Sequence, residues 1–310
     1  MTKPFARKFD LNQLPKENPE WWQDLLQRLM PAGEELDDYG LRLAVRENYL
    51  NFYHRGQAIA KVAFNQKKEL YSEQHIKYVF EDAKTQKYVR LTGNDVSIIN
   101  PEKEGDSATY QGSLTLEKWI NRATKYDGEE KNFVEAVTAK NDDIIDMEMG
   151  LPGKAYRIDL VSLEQRDGLV HIVFWEAKLT TDKRWGPDSD ISKVLEQLGR
   201  YRAFLNSDNR QKQLKVAFVN ACQVLTKITK LANKSVASII EDVANMEEDE
   251  SGDIPRLVID SEPRLLIYYN EVQDKKNNWS RYEKKLIENK VTMQIMTEGS
   301  CYKLQSKEQF

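Results

Sequence analysis

The chain has 310 residues, 40% of them hydrophobic and 10% aromatic, with a net charge of −4. That is enough chain for one large or two modest domains with a substantial core, and the charge balance excludes a histone-like or wholly basic binder while leaving room for a local basic groove. No run of about 18 apolar residues occurs and residues 1–8 carry no apolar leader core, so no membrane span or secretory leader is expected; Cys222 and Cys301 stand far apart without His or Cys at ligand spacing, so the expected setting is the cytoplasm, with reduced thiols and no zinc or disulfide framework.

Residues 1 to about 35 read as an entry segment and a short helix, with Trp21, Trp22, Leu25, Leu26 and Leu29 at helical spacing. The period then becomes two. Leu41, Leu43 and Val45 alternate, as do Leu50 and Phe52, and Ile59, Lys61 and Ala63 alternate with Ala60, Val62 and Phe64; Gly56 supplies a turn. Residues 40–100 are therefore expected to form a small, mostly antiparallel β module. Its aromatics Tyr49, Phe52, Tyr53, Tyr71 and Tyr78 read as sheet core and cross-strand pairs in preference to base-stacking platforms. Residues 101–112 are polar and contain two glycines, the composition of a linker. Residues 1–112 are thus expected to be an accessory unit, and 113–310 a second domain.

In that second part, 114–140 has a helical pattern. Two apolar runs, 156–161 and 171–178, read as strands joined by a hairpin loop at 164–168. A helix over about 190–205 carries the stripe Ile191, Val194, Leu195, Leu198 and Leu205. Residues 214–219 (Leu-Lys-Val-Ala-Phe-Val) read as a third buried strand. A long helix, a strand at 264–269, a helix near 279–289 and a strand near 292–296 follow. Strands alternating with helices predict an α/β fold with three layers around a mixed sheet.

The two runs of the hairpin carry the chemistry. Asp159 stands in Tyr156-Arg157-Ile158-Asp159-Leu160-Val161, and Glu176 and Lys178 end His171-Ile172-Val173-Phe174-Trp175-Glu176-Ala177-Lys178. Two carboxylates and an ammonium on paired buried strands are costly unless they act together. A site for a hard divalent cation is the simplest account. By strand alternation, His171 and Trp175 face away from Glu176 and are structural. The stretch 178–215 holds nine Lys or Arg against five Asp or Glu, whereas 241–253 holds seven acids and no Lys or Arg.

This arrangement resembles the PD-(D/E)XK nuclease superfamily, the restriction-endonuclease-like fold, although Ile158 stands where the motif's proline would be. The resemblance implies a restriction-endonuclease-like core for 113–310. It implies Mg²⁺, with Mn²⁺ able to substitute, held by Asp159, Glu176 and the carbonyl of Ala177, and a Lys178 that positions or deprotonates the attacking water. Gln197-Leu198-Gly199-Arg200-Tyr201 places Gln and Tyr at i and i+4 on one helical face. It resembles the Gln-x-x-x-Tyr motif of RecB-like and lambda-exonuclease-like members, where the pair lines the active site. The family also places an acid on the preceding helix. Phe133, Val134 and Val137 centre on the angular position of Glu130, so Glu130 is the expected further ligand and Glu135 is expected to face solvent. Arg184, Arg200 and Arg202 are candidate phosphate contacts. The implied activity is Mg²⁺-dependent hydrolysis of phosphodiester bonds, in DNA first with RNA left open, in restriction, phage defence or repair. The alternative is a catalytically silent nucleic-acid-binding or partner-recruiting module, with the N-terminal part contacting a protein partner or a second copy.

Overall fold

A computed structural model of the chain describes residues 4–93, 97–152, 156–182, 185, 192–270 and 279–310. Among these, no helix is long and apolar enough to cross a membrane. The chain is mixed α/β, built on a five-stranded antiparallel sheet and a six-stranded mixed sheet.

The first sheet is a meander of β1 (Arg42–Val45), β2 (Tyr49–His54), β3 (Gln57–Phe64), β4 (Leu70–His75) and β5 (Tyr88–Thr92), each paired with its neighbour in the chain. Helices α1 (Glu20–Gln27), α2 (Ile76–Val79) and α3 (Ser113–Ala123) accompany it. Trp22 on α1 is fully buried and meets Phe52 edge to face at 5.9 Å. Phe52, Tyr53 and Tyr78 are core, while Tyr49 and Tyr71 are half-buried. The expected linker at 101–112 is more structured than its composition suggests. β6 (Ser97–Ile99) and β7 (Ser107–Thr109) pair across it, and Tyr110 is buried against Trp119 with its hydroxyl donating to Asp24 Oδ2 at 2.5 Å.

The mixed sheet has the order β13-β12-β10-β9-β8. β8 (Ile144–Gly150), β9 (Arg157–Arg166) and β10 (Leu169–Leu179) are antiparallel; β12 (Arg264–Tyr269) and β13 (Met293–Thr297) run parallel to β10, and β11 (Leu257–Ile259) pairs with the start of β10. β9 runs on through the expected loop to Arg166. The turn is only Asp167–Gly168, with φ of 52° and 75°, the left-handed pair that matches strand twist and that glycine adopts without strain. Along β10, Val173, Trp175 and Ala177 share a core with Phe133 and Val137 of α4 (Glu129–Lys140), while Ile172 and Phe174 pack on the opposite side. There Phe174 meets Phe218 of α6 (Asp208–Leu231), beside α5 (Ser192–Leu205). The sheet thus lies between helical layers. α7 (Ser238–Ala244) and α8 (Trp279–Glu288) complete the chain.

Two expectations fail here. Residues 214–219 are not a strand but part of α6, where Leu214, Phe218, Cys222 and Leu225 are buried at helical spacing. A six-residue apolar run fits either period, and the 24-residue extent of the pattern decides for helix. The helical stretch 114–140 is two helices, separated around Tyr126, Asp127 and Gly128.

The two sheets are packed together. One continuous apolar cluster runs from Trp22 and Phe52 to Phe174 and Phe218. Asp146 of β8 accepts from both Arg7 Nε (3.2 Å) and Arg46 Nη1 (2.5 Å), all three side chains being buried.

Candidate active site

β9 and β10 are paired up to Leu160 opposite Trp175. Beyond that point the strands fork. The N–H of Ala177 is taken not by a ladder carbonyl but by Asp159 Oδ2, at 2.7 Å. Burial, reinforced by the charge of Glu176, holds the Asp159 carboxyl well above the usual carboxylate range; Lys178 and the Ala177 N–H pull it the other way.

Glu176 and Lys178, two residues apart on one face of β10, are 3% and 1% exposed. Lys178 Nζ forms a buried ion pair with Glu176 Oε1 and donates to Ala177 O at 2.7 Å. α5 supplies the rest. Gln197 Nε2 donates to Glu176 Oε1 at 2.6 Å and to the Tyr201 hydroxyl at 2.7 Å. The Tyr201 hydroxyl donates to Glu176 Oε2 at 2.9 Å and lies against Arg157 O. Burial and then the Glu176 charge push the Tyr201 phenol far up, so it remains a donor. The i, i+4 spacing of α5 therefore fixes both oxygens of one carboxylate.

Glu130, in the first turn of α4, does approach Asp159. Both line a shallow pocket with Gly56, Lys131, Glu135 and Glu148, and the Glu130 charge contributes to raising the Asp159 pKa. Glu135 does not face solvent as expected. It is half-buried and bound by Arg42 Nε (3.1 Å) and Nη2 (2.5 Å) from β1. The N-terminal sheet covers that face of α4, which a helical wheel of α4 alone cannot register. Burial raises the Glu135 pKa against the pull of Arg42.

The trio does not open onto a single pocket among the described residues. Asp159 is reached beside α4, whereas Glu176 and Lys178 are closed beneath α5; Ala177 bridges them, its N–H serving Asp159 and its carbonyl serving Lys178. Arg200 pairs with Glu196 and stacks on Tyr156 at 4.5 Å, and Arg202 pairs with Glu262 at 2.7 Å, both exposed pairs of little strength. Arg184 lies outside the described residues. Trp175 is core, its Nε1 donating to Ser162 Oγ at 2.9 Å, and His171 binds Arg166 near the hairpin turn. The sequence reading missed Glu148, which pairs with Arg157 at 3.1 Å and has φ of 51°. The alternation of acids and methionines over Ile144–Gly150 was the available signal.

Among the described residues no three His, Cys, Asp or Glu side chains converge as a metal cluster. The donors nevertheless suit a hard cation. Lys178 Nζ is itself a cationic centre gripped by a carboxylate oxygen and a carbonyl oxygen, the donor types that bind Mg²⁺. Glu176 and the Ala177 carbonyl meet at that point, and Asp159 reaches the same residue, Ala177, through its N–H. Comparison with protein-family models, curated proteins and solved structures finds no match.

Proposed function

We propose that the chain is a Mg²⁺-dependent nuclease acting on DNA, with a core of the PD-(D/E)XK, restriction-endonuclease-like type. The observation that carries this reading is the coupling of Asp159, Glu176 and Lys178 through Ala177 at a strand fork, with Gln197 and Tyr201 clamping Glu176. A bound divalent cation supplies Lewis acidity toward a phosphoryl oxygen and lowers the pKa of water.

The chain's own residues do the rest. Asp159, its proton passed to solvent, would hold the cation with Glu176 and the Ala177 carbonyl. Lys178, freed from Glu176, would hold the attacking water by hydrogen bond. Gln197 and Tyr201 keep the Glu176 carboxylate in one orientation, so it does not reorganise during the reaction. Glu130 adds negative charge beside Asp159. Restriction, phage defence and repair are the settings such an enzyme serves.

One observation favours the rival reading, a silent binding module. Lys178 and Glu176 are closed on each other and buried, as a purely structural pair would be. Incubation with linear, circular and single-stranded DNA in Mg²⁺ or EDTA separates the two. The nuclease reading expects Mg²⁺-dependent products that Lys178→Ala and Asp159→Ala both abolish. Binding without cleavage, unchanged by either substitution, establishes the silent module.

A further inference from the structure

Beside the shallow pocket at Asp159 lies a second, larger cleft of about 580 Å³ between the N-terminal sheet and β8. The two share Gly56, Lys131 and Glu148 as a common wall. At this lip Lys131 Nζ donates to Gly56 O at 3.0 Å. Gly56 has φ of 70°, and a Cβ there would meet the Lys131 stem at 3.0 Å.

Two features of the cleft point to one ligand chemistry. The first is aromatic. Tyr49 is half-buried and Tyr88, on the edge strand β5, is 64% exposed; His75 meets the Tyr88 ring edge-on at 5.3 Å. The second is cationic. Arg7, 5% exposed, and Arg46 share the carboxylate of Asp146, and the lining adds Lys131 and Arg157 against Glu47 and Glu148, so four cations face three carboxylates. Arg7 Nη2 has no hydrogen-bond partner among the described residues and is closed off from solvent, so an acceptor in the cleft that Arg7 lines reaches it once the guanidinium turns outward. A buried guanidinium N–H without an acceptor is costly, and an anionic oxygen is its natural complement.

We propose that this cleft seats a single-stranded segment of nucleic acid, with unpaired bases on Tyr49 and Tyr88 and a backbone phosphate at Arg7, leading over the Gly56–Lys131 lip to Asp159. A duplex hides its base faces and is too broad for a recess of this volume, whereas an unpaired strand presents a π-face and a phosphate at each nucleotide. The inference rests on the nuclease reading only for what lies beyond the lip; the binding itself stands independently.

The test is fluorescence anisotropy in EDTA, where no metal-dependent cleavage occurs, with a labelled oligothymidylate, a duplex of equal length, and thymidine monophosphate as competitor. Tyr88→Ala and Tyr49→Ala are each expected to weaken the single strand about tenfold, with duplex binding unchanged. Lys131→Gln removes a charge and is expected to reduce the salt-dependence slope by about one, whereas Arg7→Lys keeps the charge but loses the guanidinium fork and is expected to weaken binding with the slope unchanged. Wild-type affinity for the single strand in both tyrosine variants overturns the proposal. So does a mononucleotide that competes as well as the oligomer. Failure of Mg²⁺-dependent cleavage with intact, tyrosine-dependent strand binding sinks the nuclease reading and leaves the cleft standing.

Discussion

Asp159→Asn is expected to stabilise the folded protein at neutral and alkaline pH. The Asp159 carboxyl is half-buried, and its desolvation together with Glu176 raises its pKa above the ordinary value of 3.8. The folded state then holds a proton that the unfolded state loses. Stability contributed by this group is present below about pH 4 and is lost as pH rises through the folded-state pKa. Asparagine cannot ionise, yet its Oδ1 can still accept the Ala177 N–H that Asp159 takes at 2.7 Å. The relief should be on the order of 1–3 kcal/mol, the usual cost of a poorly compensated buried polar group. Unfolding entropy of about 2.1 cal/mol/K per residue over 310 residues makes each kcal/mol worth roughly 1.5 °C. The variant should therefore melt about 2–5 °C above wild type at pH 8, and within about 1 °C of it at pH 3.5. Melting followed by circular dichroism in EDTA reads this directly. A variant that melts below wild type at pH 8, or a gain equal at both pH values, refutes the reasoning.

Tyr201→Phe removes a hydroxyl that serves Glu176, Gln197 and Arg157 O in a site with no solvent to replace it. It should cost about 1–3 kcal/mol in urea unfolding, and loss of the clamp on Glu176 should lower the rate of metal-dependent cleavage more than DNA affinity. Glu135→Ala leaves the buried Arg42 without its carboxylate, although the carbonyls of Met30, Pro31 and Glu34 still receive it. The expected loss is about 3 kcal/mol, against under about 0.5 kcal/mol for Glu129→Ala at the exposed start of the same helix; equal urea midpoints for the two variants would contradict the burial argument.

The local chemistry was more legible than the global packing. Asp159, Glu176 and Lys178 could be put on adjacent strands because each sits in a long apolar run with a Gly-terminated turn between them. Gln197 and Tyr201 could be put on one face because helical spacing requires only the residues themselves. Glu135 could not be placed, since what buries it is Arg42, 93 residues earlier in the chain. Residues 214–219 were misread as a strand because their apolar run is shorter than the helix that contains it. The cleft beneath Tyr88 was invisible for the same reason as Glu135: its walls come from residues near position 7, from the meander and from β8, and only tertiary packing brings them together. The charge excess there depends on two arginines sharing one aspartate, which no local pattern records.

The account depends on a divalent cation entering the fork between β9 and β10. A crystal soaked in Mn²⁺ and measured for anomalous scattering reports this directly. The account predicts a peak about 2.0–2.3 Å from oxygens of Asp159 and Glu176 and from the Ala177 carbonyl, with the Lys178 ammonium displaced from Glu176. A map with no peak at the fork at millimolar Mn²⁺, and Lys178 still paired with Glu176, would contradict it.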